Sequence, residues 1–193
     1  MELNAQYWDK RYVEKTWGWD IGYPSPPLID YASLYDTDAR ILIPGCGHAY
    51  EGEWLWKKGY SNLILMDMSE TAKSNFLARV PDFPADQFLI GDFFKHEGEY
   101  DVILEQTFYC ALNPDMRDDY ANHMLNLLRP GGRLAGVLFD FPLTEKGPPF
   151  GGSAEEYQAR FEGKFQIIKI QPCYNSIEPR AGKEFFFEVK KPD

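Results

Sequence analysis

Cysteine is scarce: Cys46, Cys110 and Cys173 are odd in number, widely spaced and without a C-x-x-C pair, which excludes a disulfide framework. The three histidines are equally scattered, so the cysteines and histidines suggest no metal site. Positive charge is also short, with 20 basic residues against 30 acidic and a net charge of −10. Such a surface repels the phosphate backbone that drives most nucleic-acid binding, and a small molecule is the expected partner. No run approaches the ~18 apolar residues that cross a bilayer, and the polar N-terminus, MELNAQYWDKRY, has no apolar leader core. The expectation is a soluble, cytoplasmic protein with no membrane partner. Internal repeats and low-complexity tracts are absent, and the sequence is silent on oligomeric state.

What the chain does contain is enough for one substantial core. Its 193 residues are 44% hydrophobic and 16% aromatic, a folded composition too short for two ordinary domains. Short apolar runs alternate with helical patterns, the mark of an α/β sheet. Strands are predicted at Ala39 to Pro44, Asn62 to Asp67, Gln87 to Ile90, Tyr100 to Glu105 and Leu134 to Phe139. The LILM run of the second is apolar on both faces, as central parallel strands are. Helices are predicted at Tyr50 to Lys58, from the cap Ser69 to about Val80, and from Asn113-Pro114 through Leu128.

After a Pro/Gly loop, FPLTEKGPPFGGS, come a helix at Ala154 to Phe161 and strands near Phe165 to Gln171 and Glu184 to Lys190. No helix joins these last strands, so they are expected to be antiparallel. Residues 1–36, rich in tryptophan and tyrosine, precede the first βαβ unit and are expected to lie over the sheet's end as a lid. Residues 37–193 form the Rossmann-like core of the same single domain.

The chemistry gathers at ILIPGCGHAY. Gly45 and Gly47 follow the first strand and allow a ligand close to the backbone, and the helix beyond offers free amides. Asp67 closes the second strand 22 residues after Gly45, where an acid accepts from ribose hydroxyls. An adenosine-bearing cofactor is implied. Tyr50 occupies the place of the third glycine of G-x-G-x-x-G, which argues against a pyrophosphate and for S-adenosylmethionine. In the GDFF stretch, Asp92 is suited to the adenine amino group and Phe93 to the ring. EQTFYC, Glu105 to Cys110, follows the fourth strand near where the methyl group would be presented.

These residues resemble the thiopurine S-methyltransferase-like family, and within it the thiol and halide methyltransferases. The resemblance rests on WDKRYVEKTWGWDIGYPSPPL, ILIPGCGHAY, LILMDMSETA, GDFF, YDVILEQTFYCALNP, LLRPGGRL, GPPF and EPRAGKEF, from Trp8 to Phe185. Most methyltransferases carry an acid two residues before the first glycine. Ile43 stands there instead, as it does in this family.

The resemblance implies a class I methyltransferase fold: a seven-stranded, mostly parallel sheet with an antiparallel C-terminal strand. It implies cofactor contacts at Trp8, Tyr12, Trp19, Gly45, Gly47, Asp67, Asp92, Phe93 and Gln106. Tyr12 and Gln106 depart from the branch, which often has tryptophan and tyrosine there. An acceptor pocket is implied at Trp19, Phe108, Tyr109, Phe150 and Arg180. The implied reaction is in-line transfer of methyl to a thiol, thiopurine, bisulfide or halide, with no acid-base constellation required. A nicotinamide-dependent oxidoreductase and a non-catalytic binder of the same cofactor are the alternatives.

Overall fold

Alternation along the strands decides which face each helix covers. The computed structural model describes residues 3–193. In β1 (Ile41–Pro44), Ile41 and Ile43 point to one face and Leu42 to the other. In β2 (Leu63–Asp67), Leu63 and Leu65 share the first face while Ile64 and Met66 take the second. Apolar side chains on both faces require cover on both, which is why the strands read as continuous apolar runs.

The first face is covered by α2 (Pro26–Ala32), α3 (Tyr50–Lys57) and α4 (Glu70–Arg79), which contribute Leu28, Leu55 and Phe76. The second is covered by α5 (Arg117–Leu127) and α6 (Ala154–Phe161), with Tyr120, Met124, Tyr157 and Phe161. With β3 (Phe88–Ile90), β4 (Tyr100–Gln106), β5 (Leu128–Phe139), β6 (Gln166–Pro172) and β7 (Glu184–Lys190), the sheet has the order β3-β2-β1-β4-β5-β7-β6. β7 is antiparallel to both of its neighbours, and the pairings from β3 to β5 are parallel. The order reverses between β1 and β4, so their carboxyl ends flank the crevice where ligands bind in such sheets.

Three elements depart from expectation. The predicted N-terminal segment divides: α1 (Ala5–Val13) lies beside α4, whereas α2 buries Leu28, Tyr31 and Ala32 in the core of the first face. Its apolar stripe, PPLIDYA, stabilises the sheet and does not hang over its end. The fifth strand begins at Leu128, not Leu134, because RPGG is accommodated as an irregularity in the β4–β5 register between Tyr100 and Val102. The helix expected from Pro114 opens with a 3-10 turn, Pro114–Met116, capped by Asn113.

Two buried or half-buried carboxylates fasten the elements that meet at the crevice. The Asp9 carboxylate accepts from the Ser69 hydroxyl at 2.6 Å and the Thr71 amide at 2.9 Å, tying α1 to the start of α4. Glu105, fully buried in β4, accepts from the amides of Phe108 and Tyr109, each at 2.9 Å, and from the Tyr120 hydroxyl at 2.7 Å. These bonds fix the turn that leaves β4, in which Thr107 has φ +57°. Burial outweighs them and raises the Glu105 pKa to about 7.

Replacing Asp9 by alanine should lower stability by about 1–2 kcal/mol, the usual cost of losing a helix-start acceptor. Denaturant melts would measure this, and hydrogen exchange in α1 should accelerate ahead of the sheet. For Glu105 the folded pKa lies above the unfolded value of about 4.3. The unfolded chain therefore releases its proton first, and stability should fall as pH rises from about 4.3 to about 7 by up to roughly 3 kcal/mol, then level off. Melts of the parent and Glu105→Gln over that range should converge at the acid end and separate toward pH 7, whereas parallel curves would show that Glu105 does not titrate there.

Candidate active site

Beyond the carboxyl ends of β1, β2, β3 and β4 lies a cavity of about 1570 Å³. Its walls include Trp8, Tyr12 and Trp19 from the N-terminal segment and Gly45, Asp67, Asp92 and Phe93 from the strand ends. Farther along stand Phe108, Phe150 and Arg180. Ten of the residues singled out from the sequence thus share one cavity. Gly47, Gln106 and Tyr109 are not among its lining residues.

The turn after β1 is built from left-handed residues: Gly45 and Gly47 at φ +57° and Ala49 at φ +52°. A Cβ on Gly45 would stand 2.5 Å from the Phe108 ring, so only glycine lets the turns after β1 and β4 meet. The amide of Gly47, itself buried, donates to Asp67 Oδ2 at 2.9 Å, while Oδ1 accepts from the Ser69 amide at 3.0 Å. Burial raises the Asp67 pKa, and the amides of Gly47, Ser69 and Met68 oppose that rise. Each carboxylate oxygen has accepted one amide and keeps capacity for another donor at the cavity wall. The close helix–strand packing that a third fingerprint glycine provides is supplied by Gly52, where a Cβ would meet Leu65 at 2.7 Å.

Around β3, Asp92 caps a 3-10 turn by accepting from the Phe94 amide at 3.0 Å. Phe93 is buried, its ring edge-on to Phe108 at 5.0 Å and to His123 at 4.7 Å. Burial lowers the His123 pKa, so the ring under this loop is neutral near pH 7.

The N-terminal segment closes the side. On α1, Trp8, Arg11 and Tyr12 share one face, as helical spacing dictates. Trp8 and Tyr12 meet Trp19 edge-on at 5.5 and 5.8 Å, and the Arg11 guanidinium lies over the Trp19 ring at 5.4 Å. A Cβ on Gly47 would meet the Tyr12 hydroxyl at 2.9 Å, so α1 and the glycine turn are in close contact. His48, packed against Tyr12, Trp17 and Tyr50, lies 2.9 Å from Asp20 and joins the same two segments.

On the far side, Arg180 donates to the Trp19 carbonyl at 2.7 Å and lies over the Phe139 ring at 5.5 Å. Its Nη1 is buried, 3.5 Å from Glu184, and has no hydrogen-bond partner among the described residues. Phe150 is anchored by its amide, which donates to the Cys110 carbonyl at 2.7 Å. Next to it, Arg117 donates to the Gly151 carbonyl at 2.9 Å.

Arg117 was not visible from the sequence, where it reads as a charge early in a surface helix. It is 1% exposed, paired with Glu156 at 3.2 Å and stacked on Tyr109 at 4.4 Å. Tyr109 itself points into this network and donates to Glu156 at 2.8 Å, so it supports the wall from behind. Gln106 ends β4 with a buried Oε1 that has no hydrogen-bond partner among the described residues, and it does not line the cavity. Burial drives the Cys110 thiol pKa well above its ordinary range, which keeps it a packing group.

An acid with spare acceptor capacity, an adjoining glycine turn and aromatic walls fit S-adenosylmethionine. The sequence model of the family described as thiopurine S-methyltransferase matches residues 3–188. A probable thiol methyltransferase 2 of Arabidopsis thaliana is 31% identical over 98% of this chain and 87% of its own length. A thiopurine S-methyltransferase of Photobacterium profundum is 27% identical over 83% and 84%, and a thiocyanate methyltransferase 1 of Brassica oleracea 28% over 95% and 84%.

Among solved structures, a 1,6-didemethyltoxoflavin-N1-methyltransferase of Burkholderia thailandensis, with S-adenosylhomocysteine bound, superposes with a TM-score of 0.75. It is 16% identical, covering 98% of this chain and 87% of that one. A TehB-like SAM-dependent methyltransferase from Corynebacterium glutamicum gives 0.67 at 18% identity, covering 97% and 95%. These last two likenesses bear on the fold. The chain belongs to the thiopurine S-methyltransferase family of S-adenosylmethionine-dependent methyltransferases.

Proposed function

We propose that the chain methylates a small soft nucleophile, a thiol, thiopurine, bisulfide or halide, by in-line displacement. The observation that carries this reading is the continuity of one cavity from Asp67 and the glycine turn to the apolar, aromatic wall of Phe108, Phe139, Phe141 and Phe150. S-adenosylmethionine, when bound, supplies an electrophilic methyl on a sulfonium centre.

In this reading Asp67 accepts from the ribose hydroxyls, Asp92 and Phe93 hold the adenine, and the turn at Gly45 and Gly47 seats the methionine end. Trp8, Tyr12 and Trp19 close over the cofactor, and their ring faces favour a nearby cation. Gln106, at the end of β4, lies outside the cavity lining and takes no part in this reading. Phe108, Phe150 and Arg180 orient the acceptor, with Tyr109 behind them. The aromatic walls exclude water, which strips the nucleophile's hydration shell and removes a competitor for the methyl group. Alignment of the reacting atoms supplies most of the remaining acceleration. A thiol of ordinary pKa ~8.5 is already partly ionised near neutrality, so no strong base is needed. The chain acts as one domain whose first 25 or so residues serve as the lid. A cytoplasmic setting accords with three cysteines that remain free thiols.

A headspace assay with S-adenosylmethionine and a panel of thiols, bisulfide, thiocyanate and iodide tests the reading directly. Volatile or extractable methylated product is expected with at least one soft nucleophile, and none with alcohols or amines. Cofactor consumption without methylation of any of them would sink it. Asp67→Ala should raise the KM for the cofactor about 10- to 100-fold, the worth of a charge-assisted pair of hydrogen bonds. Phe150→Ala should raise the acceptor's KM and leave S-adenosylhomocysteine affinity within about twofold; loss of both together would place Phe150 with the cofactor instead.

A further inference from the structure

Trp19 is in contact with two guanidinium groups. The Arg11 guanidinium covers its ring, and Arg180 donates to its carbonyl. Both arginines line the cavity. Each also carries a buried nitrogen, Arg11 Nε and Arg180 Nη1, with no hydrogen-bond partner among the described residues. Arg180 has Glu184 nearby at 3.5 Å, whereas no carboxylate of the described residues lies within ion-pair distance of Arg11. In a chain of net charge −10, two cations with spare donors on either side of one lid residue are unexpected unless an anion enters between them.

The anion they are suited to is not the attacking atom. When an anionic nucleophile takes a methyl group from a sulfonium, its charge disperses on the way to the transition state. A guanidinium bonded to that nucleophile stabilises the ground state more than the transition state and slows the step. The same guanidinium, bonded to a second group whose charge does not change, contributes binding and orientation without that loss. Its planar fork matches a carboxylate in particular. The cavity volume points the same way, because about 1570 Å³ exceeds the 300–1,000 Å³ typical of a single small-ligand site. Room remains beside the cofactor for an acceptor with a carbon body to lie against Phe139, Phe141 and Phe150.

We propose that the preferred acceptor is a thiol on an apolar or aromatic body that also carries a carboxylate, held by Arg11 and Arg180 about Trp19 while the sulfur faces the methyl group. In the transfer the thiolate forms the new carbon–sulfur bond, the sulfonium's methyl–sulfur bond breaks, and the bond pair leaves with S-adenosylhomocysteine. The thiol proton goes to solvent before attack, and the carboxylate is unchanged throughout. This inference rests on the methyl-transfer reading above and narrows it.

The experiment compares 2-mercaptobenzoate with benzenethiol, iodide and thiocyanate in the intact protein. 2-Mercaptobenzoate should show a kcat/KM at least about tenfold above benzenethiol, the scale of one charge-assisted contact. Arg11→Met and Arg180→Met should each bring kcat/KM for 2-mercaptobenzoate down to that for benzenethiol measured in the same variant. Calorimetry of 2-mercaptobenzoate into the protein saturated with S-adenosylhomocysteine gives a second readout that needs no turnover. The parent should bind it more tightly than benzenethiol, and the two variants should not.

Equal rates for the two thiols, or iodide as the best acceptor, would overturn the proposal. So would a fall in S-adenosylhomocysteine affinity in both variants, which would assign the cations to the cofactor's own carboxylate. Absence of turnover with every acceptor, alongside selective binding of 2-mercaptobenzoate, would count against the methyl-transfer reading and leave the carboxylate site standing.

Discussion

The rest of the site depends on how closely Gly45 approaches the ring of Phe108. No side chain fits on residue 45 at that separation, so the turns after β1 and β4 meet only because one is glycine. These are the two strands at which the sheet order reverses, and the crevice they frame lies at the carboxyl ends of the strands. Phe108 then meets Phe93 at 5.0 Å, which carries the contact on to the end of β3. One aromatic ring thereby links the glycine turn to the loop after β3. It is held in turn by Glu105, whose carboxylate receives the Phe108 and Tyr109 amides.

This arrangement places buried acids where they cost stability. Glu51, Asp67, Glu105 and Glu184 all have pKa values raised first by burial, and each is partly compensated by backbone amides, a hydroxyl or a guanidinium. Glu51 accepts from the Ser25 amide at 2.8 Å, which draws the start of α2 onto α3. The carboxylates act as acceptors that shape irregular backbone where the sheet's own ladder has ended. Cations are correspondingly prominent on the lid side and the far wall, so the cavity is negative on its floor at Asp67 and positive around Trp19. Asp67 and the arginines against Trp19 thus lie in different parts of one cavity.

Much of this was legible from residue order alone. The apolar runs of β1, β2 and β4, the cap at Ser69 and the placing of Asp67 beside the glycine turn follow from spacing and side-chain type, because local rules govern strand alternation and helix starts. Elements that depend on tertiary packing were not legible. PPLIDYA was grouped with the lid because aromatic and proline content looks alike in a lid and in a core helix; only the facing residues of β4, β5 and α3 distinguish them. Gly52 escaped notice because the fingerprint expects its glycine two positions earlier. Arg117 and Tyr109 belong to a buried network with Glu156, and nothing in a surface-helix pattern announces a partner 39 residues away.

Arg11 shows the same limit at the site itself. Helical spacing puts it on the face of Trp8 and Tyr12, but its meaning comes from Trp19, whose carbonyl is held by Arg180 from the other end of the chain. That bond spans 161 positions and ties the N-terminal segment to the last loop. Moving Trp19 therefore moves a carbonyl that Arg180 holds and a ring on which Arg11 rests. Tyr12, against Gly47, joins the same body to the glycine turn. The contacts of Trp19 with Arg11 and Arg180 thus join the glycine-turn side of the cavity to its far wall through one residue.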